Sequence, residues 1–224
     1  MLTCRHPLFQ GFAQRAHELI IVVVAAFVLV ACSGNSDAPT ARFEIMQYPE
    51  PGVHGGTFKG IGDFAAGEVS YTLYVNDGEP WLERQEFGPA TSYFRYVDSD
   101  VWDDSDGTTP QSRAVVSFRN NLAASTDAFT YLRTVAEDVT AVGTETVRGA
   151  QTTHYRATVL LSRLGAPPEY DRFPVEVWID DDGRTRRYRY HPVTLEPTEE
   201  IFVWEFLDFG VEVDLSPPPP DKVK

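Results

Sequence analysis

Residues 69–75 read Val-Ser-Tyr-Thr-Leu-Tyr-Val, and this alternation constrains the fold more than any other feature of the chain. Val69, Tyr71, Leu73 and Val75 fall on one face of an extended strand; Ser70, Thr72 and Tyr74 fall on the other, because successive β side chains point to opposite sides. Asn76, Asp77 and Gly78 follow, residue types that tolerate the positive φ of a hairpin turn. Residues 81–87 then supply the returning strand. The same pattern recurs at residues 41–47, 91–97, 153–161, 175–179, 184–190, 200–206 and 209–215, separated by Pro/Gly-rich or Asp-Asp-Gly breaks. Residues 114–118 also read as a short apolar strand, and Gly60 and Gly62 as a turn or bulge. One helix is expected over residues 126–137, where Ser125, Thr126 and Asp127 can cap it and Phe129, Leu132, Val135 and Ala136 recur at helical spacing. The prolines at 217–220 cannot join a sheet ladder. The expected domain is therefore 41–216 with a Pro-rich tail at 217–224. Its class is mainly β, an antiparallel sheet or open barrel with one packed helix.

Ahead of this domain lies an uncharged apolar run at residues 19–31, placed behind Arg5 and Arg15 and ending in Ala31-Cys32. A positive n-region, a short apolar block and small residues at its exit define a secretory signal. The run is shorter than the roughly 20 residues that span a bilayer. Leu29-Val30-Ala31-Cys32 resembles a bacterial lipobox, in which the cysteine thiol receives a diacylglycerol and becomes the new N-terminus. Residues 1–31 are read as a lipoprotein signal peptide, Cys32 as the lipid-attachment site, and residues 32–40 as a flexible polar tether. The protein is thereby expected on the extracytoplasmic face of a cell membrane.

Charge narrows the partners. Residues 1–31 carry two arginines and one glutamate, so the remainder holds 17 basic and 32 acidic residues, a formal charge of −15. That excludes an electrostatic case for nucleic acid, which rewards basic patches. It also repels anionic headgroups, so membrane attachment is expected through acyl chains. With Cys4 lost and Cys32 modified, the domain has no disulfide and no thiolate chemistry, and its core alone must stabilise it.

Little points to catalysis. His54, His154 and His191 stand in no zincin or His/Cys ligand spacing, and there is no G-x-S-x-G elbow. The acidic stretch at 98–107 fails the calcium-loop test at its last position, Arg113, so a solvated loop around a packed Trp102 is expected, with no metal and no cofactor. No enzyme is expected. Aromatic residues concentrate on the strands instead. They can fill a core, or they can line the concave face of a curved sheet that holds an apolar ligand. Tyr71, Leu73, Phe94, Tyr96, Phe129, Leu132, Tyr155 and Trp178 are the candidate lining residues, with the cavity expected between Phe129/Leu132 and the sheet.

Residues 139–161 add a family signal. Val139, Val142, Gly143, Glu145, Val147, Gly149, Thr152 or Thr153, and Tyr155 follow a V-x-x-V-G-x-E-x-V-x-G-x-x-T-x-x-Y pattern, continued by Pro174, Val175, Val177, Trp178, Asp180, Gly183 and Arg184 and by Phe209-Gly210-Val211. Together they resemble actinobacterial lipoproteins of the LppX/LprAFG kind, within the LolA-like superfamily. The resemblance implies an open, strongly curved antiparallel sheet, a half-barrel with helices on its concave side, holding a lipid or amphipathic small molecule. Gly143 and Gly149 would bracket a tight connection from helix to strand. The chain departs from that pattern by lacking a first covering helix, which implies a cavity that is smaller, more exposed or filled by aromatics. The rival expectation is a ligand-free lipoprotein with a filled core that contacts an envelope protein.

Overall fold

Among the described residues, eleven strands form one antiparallel sheet that stays open: its outermost strands lie at opposite ends and do not pair with each other. The computed structural model describes residues 39–50, 53, 55–75, 78–104, 109–192 and 199–224. The signal segment, Cys32 and most of the tether lie outside them, as do Asn76 and Asp77 of the expected hairpin turn. In chain order the strands are β1 (Thr40–Tyr48), β2 (Gly56–Asp63), β3 (Glu68–Val75), β4 (Glu79–Phe87), β5 (Thr91–Tyr96) and β6 (Asp103–Asp104). Two helices follow, α1 (Pro110–Ala124) and α2 (Ala128–Val135), and then β7 (Ala136–Val147), β8 (Ala150–Leu160), β9 (Arg172–Asp180), β10 (Thr185–Tyr190) and β11 (Ile201–Phe209). The spatial order is β6-β5-β4-β3-β2-β1-β11-β10-β9-β8-β7. Two meanders are thus joined where the first strand meets the last, with both helices inserted in the crossover between them.

The core lies on the face that the helices cover. Phe43, Ile45, Val69, Phe173, Val175, Val177, Tyr188, Trp204 and Phe206 are buried there, each on its strand's inward alternation. Helix α1 contributes Ala114, Phe118 and Leu122, a fully buried stripe at i, i+4 and i+8. This corrects the expected strand at 114–118. The β-branched pair Val115-Val116 resembles strand sequence, but Thr109 caps the helix by accepting from the Ser112 backbone N–H at 3.1 Å, and Pro110 occupies the first turn, where its missing donor costs nothing. The one helix expected, at 126–137, is α2; it is shorter than read, Ala128–Val135, and Asp127 caps it at 2.9 Å from the Thr130 N–H.

Three further expectations change. The connection from α2 into β7 is direct, Ala136 following Val135, and glycines do not bracket it: β7 is a twelve-residue edge strand with Gly143 inside it and Gly149 in the following hairpin. The expected strand at 209–215 is absent, because β11 ends at Phe209 and Gly210 turns away at φ 73°. Gly60 and Gly62 are not a turn but lie within β2. A Cβ on Gly60 would stand 2.3 Å from the Ser70 carbonyl and 2.7 Å from the Phe43 ring, so the missing side chain makes room for a core aromatic. The prolines at 217–220 stay outside the ladder, yet the chain beyond them returns to the sheet margin. There the Trp102 N–H donates to the Lys222 carbonyl at 2.7 Å and the Lys224 N–H to the Trp102 carbonyl at 3.0 Å. This covers the exposed edge near β6, where an open ladder would invite pairing.

Gly183 ties the β9–β10 hairpin to the helices. It sits at φ 81°, its carbonyl accepts from the Ala128 N–H at 2.9 Å, and an added Cβ would lie 2.6 Å from the Thr126 carbonyl. Gly183→Ala is expected to lower unfolding free energy by about 1–3 kcal/mol, measured by urea denaturation. A loss below about 0.5 kcal/mol would show that the hairpin relaxes freely.

Candidate functional site

The helix-covered face divides into two zones. Under α2 it is solid: Leu132 is fully buried in the hydrophobic core, and the Phe129 ring packs on Tyr155 at a centroid distance of 4.9 Å. Under α1 it is not. Between Val115, Val116 and Arg119 of α1 and the sheet lies a cavity of about 320 Å³. Its sheet wall runs across six adjacent strands: Ile45, Phe58, Tyr71, Leu82, Arg84 and Glu86 on one side, Tyr188, Tyr190, Phe202 and Trp204 on the other. The volume is at the small end of the ~300–1,000 Å³ typical of small-molecule sites.

The cavity's aromatic wall is built by stacking. Tyr190 stacks on Phe202 at 5.5 Å, Tyr188 on Trp204 at 5.7 Å, and Trp204 on Phe43 at 4.9 Å. The first two pairs are direct cross-strand partners, which project side by side, whereas Trp204 is in register with Ile45 and reaches Phe43 diagonally. Burial pushes the Tyr190 hydroxyl up to about 12 and holds Tyr188 well above its ordinary value, so both phenols stay neutral.

A charged cluster forms the other wall. Glu86, 6 % exposed, accepts from Arg119 Nη2 at 2.8 Å and from the Tyr71 hydroxyl at 2.9 Å. Arg119, 4 % exposed, also donates from Nε to Asn120 Oδ1 at 2.9 Å and lies 4.9 Å over the Trp204 ring. Burial by itself would raise the Glu86 carboxyl, but Arg119 and Arg84 outweigh it and hold it below the ordinary carboxylate value. Burial, and after it the same carboxylate, drives the Tyr71 hydroxyl upward. The two guanidiniums thus favour the ionised form of this buried carboxylate. Among the described residues, no group of three or more His, Cys, Asp or Glu side chains is placed to hold a metal ion.

Of the eight candidate lining residues, the structure brings only Tyr71 to this cavity. Leu73 lies in register with Phe58 and Leu82 without lining it. Phe94 and Tyr96 are on β5, beyond the charged wall; Tyr96 is 44 % exposed and meets the exposed Trp81 ring at 5.3 Å. Phe129, Leu132 and Tyr155 belong to the filled zone under α2, which corrects the expected position of the cavity. Trp178 is on the opposite face altogether. It stacks on His154 at 4.1 Å, donates to Glu145, and lies under Arg187 among cross-strand ion pairs such as Arg187–Glu205 at 2.6 Å. Burial there lowers the His154 imidazole in spite of Glu176 and Glu145 nearby. The strand alternation already separated Trp178 from Val177. Arg84, Glu86 and Arg119 carried no such signal, because charged residues in so acidic a chain read as solvated surface.

An open antiparallel sheet with two helices on its concave side defines a half-barrel fold, and a partly aromatic cavity lies beneath one of the helices. No family model and no curated protein matches the chain. Among solved structures it is similar to the Mycobacterium tuberculosis lipoprotein LppX, at 14% identity over 89% of this chain and 100% of that one, with a TM-score of 0.50. LprF from Mycobacterium bovis aligns at 10% identity over 81% of this chain and 93% of that one, with a TM-score of 0.43. A putative outer membrane lipoprotein-sorting protein domain from Vibrio parahaemolyticus aligns at 8% identity, covering 86% and 93%, with a TM-score of 0.30. At these identities the likeness speaks for fold alone, and it is LppX that carries it. The protein has the LppX-type fold that residues 139–161 led us to expect.

Proposed function

We propose that this protein is a membrane-anchored, extracytoplasmic lipoprotein that holds a lipid or other amphipathic ligand in the cavity under α1, without catalysis. The observation that carries this reading is the unfilled aromatic wall itself. Phe58, Tyr190, Phe202 and Trp204 face a space of about 320 Å³ in a sheet whose other half packs solid. A half-open cleft of this size whose wall is mostly aromatic and apolar, with a few convergent polar groups, has the make-up of a small-molecule site. Anchorage rests on Cys32 and the apolar run before it. Among the described residues, no helix is long and apolar enough to cross a membrane.

Native mass spectrometry of the full-length protein extracted from its membrane tests the ligand. A reproducible adduct of lipid mass is expected, and Val115→Trp, which fills the cavity from α1, should remove it while leaving the fold intact. A bare mass in both proteins would move the reading to a ligand-free lipoprotein that contacts an envelope protein. Cys32→Ala tests the anchor: most of the protein should move from the detergent phase to the aqueous phase, and unchanged partitioning would sink the lipoprotein assignment.

A further inference from the structure

The wall charges of the cavity do not cancel. Two guanidiniums, Arg84 and Arg119, face one carboxylate, Glu86, which leaves a net positive site in a chain of formal charge −14. The two arginines are not equivalent. Arg119 is fully engaged by Glu86, Asn120 and the Trp204 face. Arg84 is not: its Nε is buried without a hydrogen bond and stands 3.4 Å from Glu86 Oε1, an oxygen that already accepts from Tyr71. Among the described residues, its Nη2 donates to the Ser92 hydroxyl, at 3.3 Å. The Arg84 side chain is 38 % exposed, so its head borders the open space.

A guanidinium half-removed from water and short of acceptors favours an anion, and favours it most where the surroundings are apolar. Beside Arg84 the wall continues as Leu82, Phe58, Val115 and Phe202. One positive end and one apolar wall, in a cavity at the small end of the ligand range, match a ligand with one negative head and one chain.

We propose that this cavity selects anionic single-chain amphipaths, seating a carboxylate or phosphate head on Arg84 and the chain along Leu82, Val115 and Phe202. The inference rests on the ligand-binding reading above, and the test separates the two. The full chain is reconstituted in nanodiscs of phosphatidylcholine and exposed to a photoreactive fatty acid, the matched fatty alcohol, and a photoreactive lysophosphatidylglycerol; labelled peptides are then mapped. The acid or the phosphodiester should label peptides containing Leu82, Val115 or Phe202 about tenfold or more over the alcohol, and which of the two does so identifies the head. Arg84→Gln should erase that preference while the alcohol's weak labelling stays, and Arg84→Lys should keep most of it. Equal labelling by acid, phosphodiester and alcohol in the unaltered protein overturns the charge selection and leaves the ligand-binding reading standing, with no variant needed. No labelling of these peptides by any probe overturns both.

Discussion

Glu86→Gln is expected to lower the unfolding free energy by about 3–5 kcal/mol, the cost of leaving a buried cation without its counter-charge. Arg119 is almost wholly removed from solvent and spends its charge on Glu86. A neutral amide in that place keeps the shape and loses the compensation. The double variant Glu86→Leu/Arg119→Met should be milder than Glu86→Gln or Arg119→Met alone, since a desolvated ion pair exchanged for apolar side chains is often close to neutral, with the residual cost set by Tyr71 and Arg84, which lose Glu86 as an acceptor. Urea denaturation of Glu86→Gln, Arg119→Met and the double variant forms the test. A double variant as damaged as the singles would mean that the pair contributes more than mutual compensation. The pH dependence has a definite sign. Glu86 and Glu205 both have folded values below the ordinary 4.5, with burial outweighed by Arg119 and Arg84 in one case and by Arg148 and Arg187 in the other. Their contribution is therefore complete above about pH 4.5 and is lost as pH falls through the depressed folded values. Glu86→Gln should flatten part of that acid limb.

Core truncations separate the two zones of the concave face. Phe118 is fully buried on α1, with its ring against Tyr131, Phe173 and Tyr188 at 6.1–6.3 Å. Phe118→Ala should cost about 3–5 kcal/mol, and Leu132→Ala about 2–5 kcal/mol, because neither site can collapse around the hole. Val115→Ala, three residues before Phe118 but turned to the cavity, should cost less than about 1 kcal/mol, since much of its surface already meets empty space. Chemical denaturation of the three variants decides the matter. A Leu132→Ala loss as small as that of Val115→Ala would place the void under α2 after all.

The outcome at α1 shows why some elements were legible and others not. Strands are announced by period-two alternation, and residues 69–75 and 175–179 needed nothing more. Helix α1 announced itself through Thr109-Pro110 and the Ala114, Phe118, Leu122 spacing, but Val115-Val116 masked a stripe that only the completed helix displays. The site was less legible still. Tyr71 could be named from its strand, whereas Arg84, Glu86 and Arg119 come from β4 and a helix 33 positions further on, and only their convergence makes them a cluster.

The sequence by itself determined a mainly β, antiparallel domain, the apolar run ending at Cys32, and the alternation that splits each strand into two faces. Those follow from local rules of alternation, turn chemistry and hydrophobicity that act within a few residues. Which part of the concave face is solid and which hollow was decided only by tertiary structure. A void depends on how far α1 stands from six strands at once, and a buried charge becomes tolerable only when the fold brings its partner beside it.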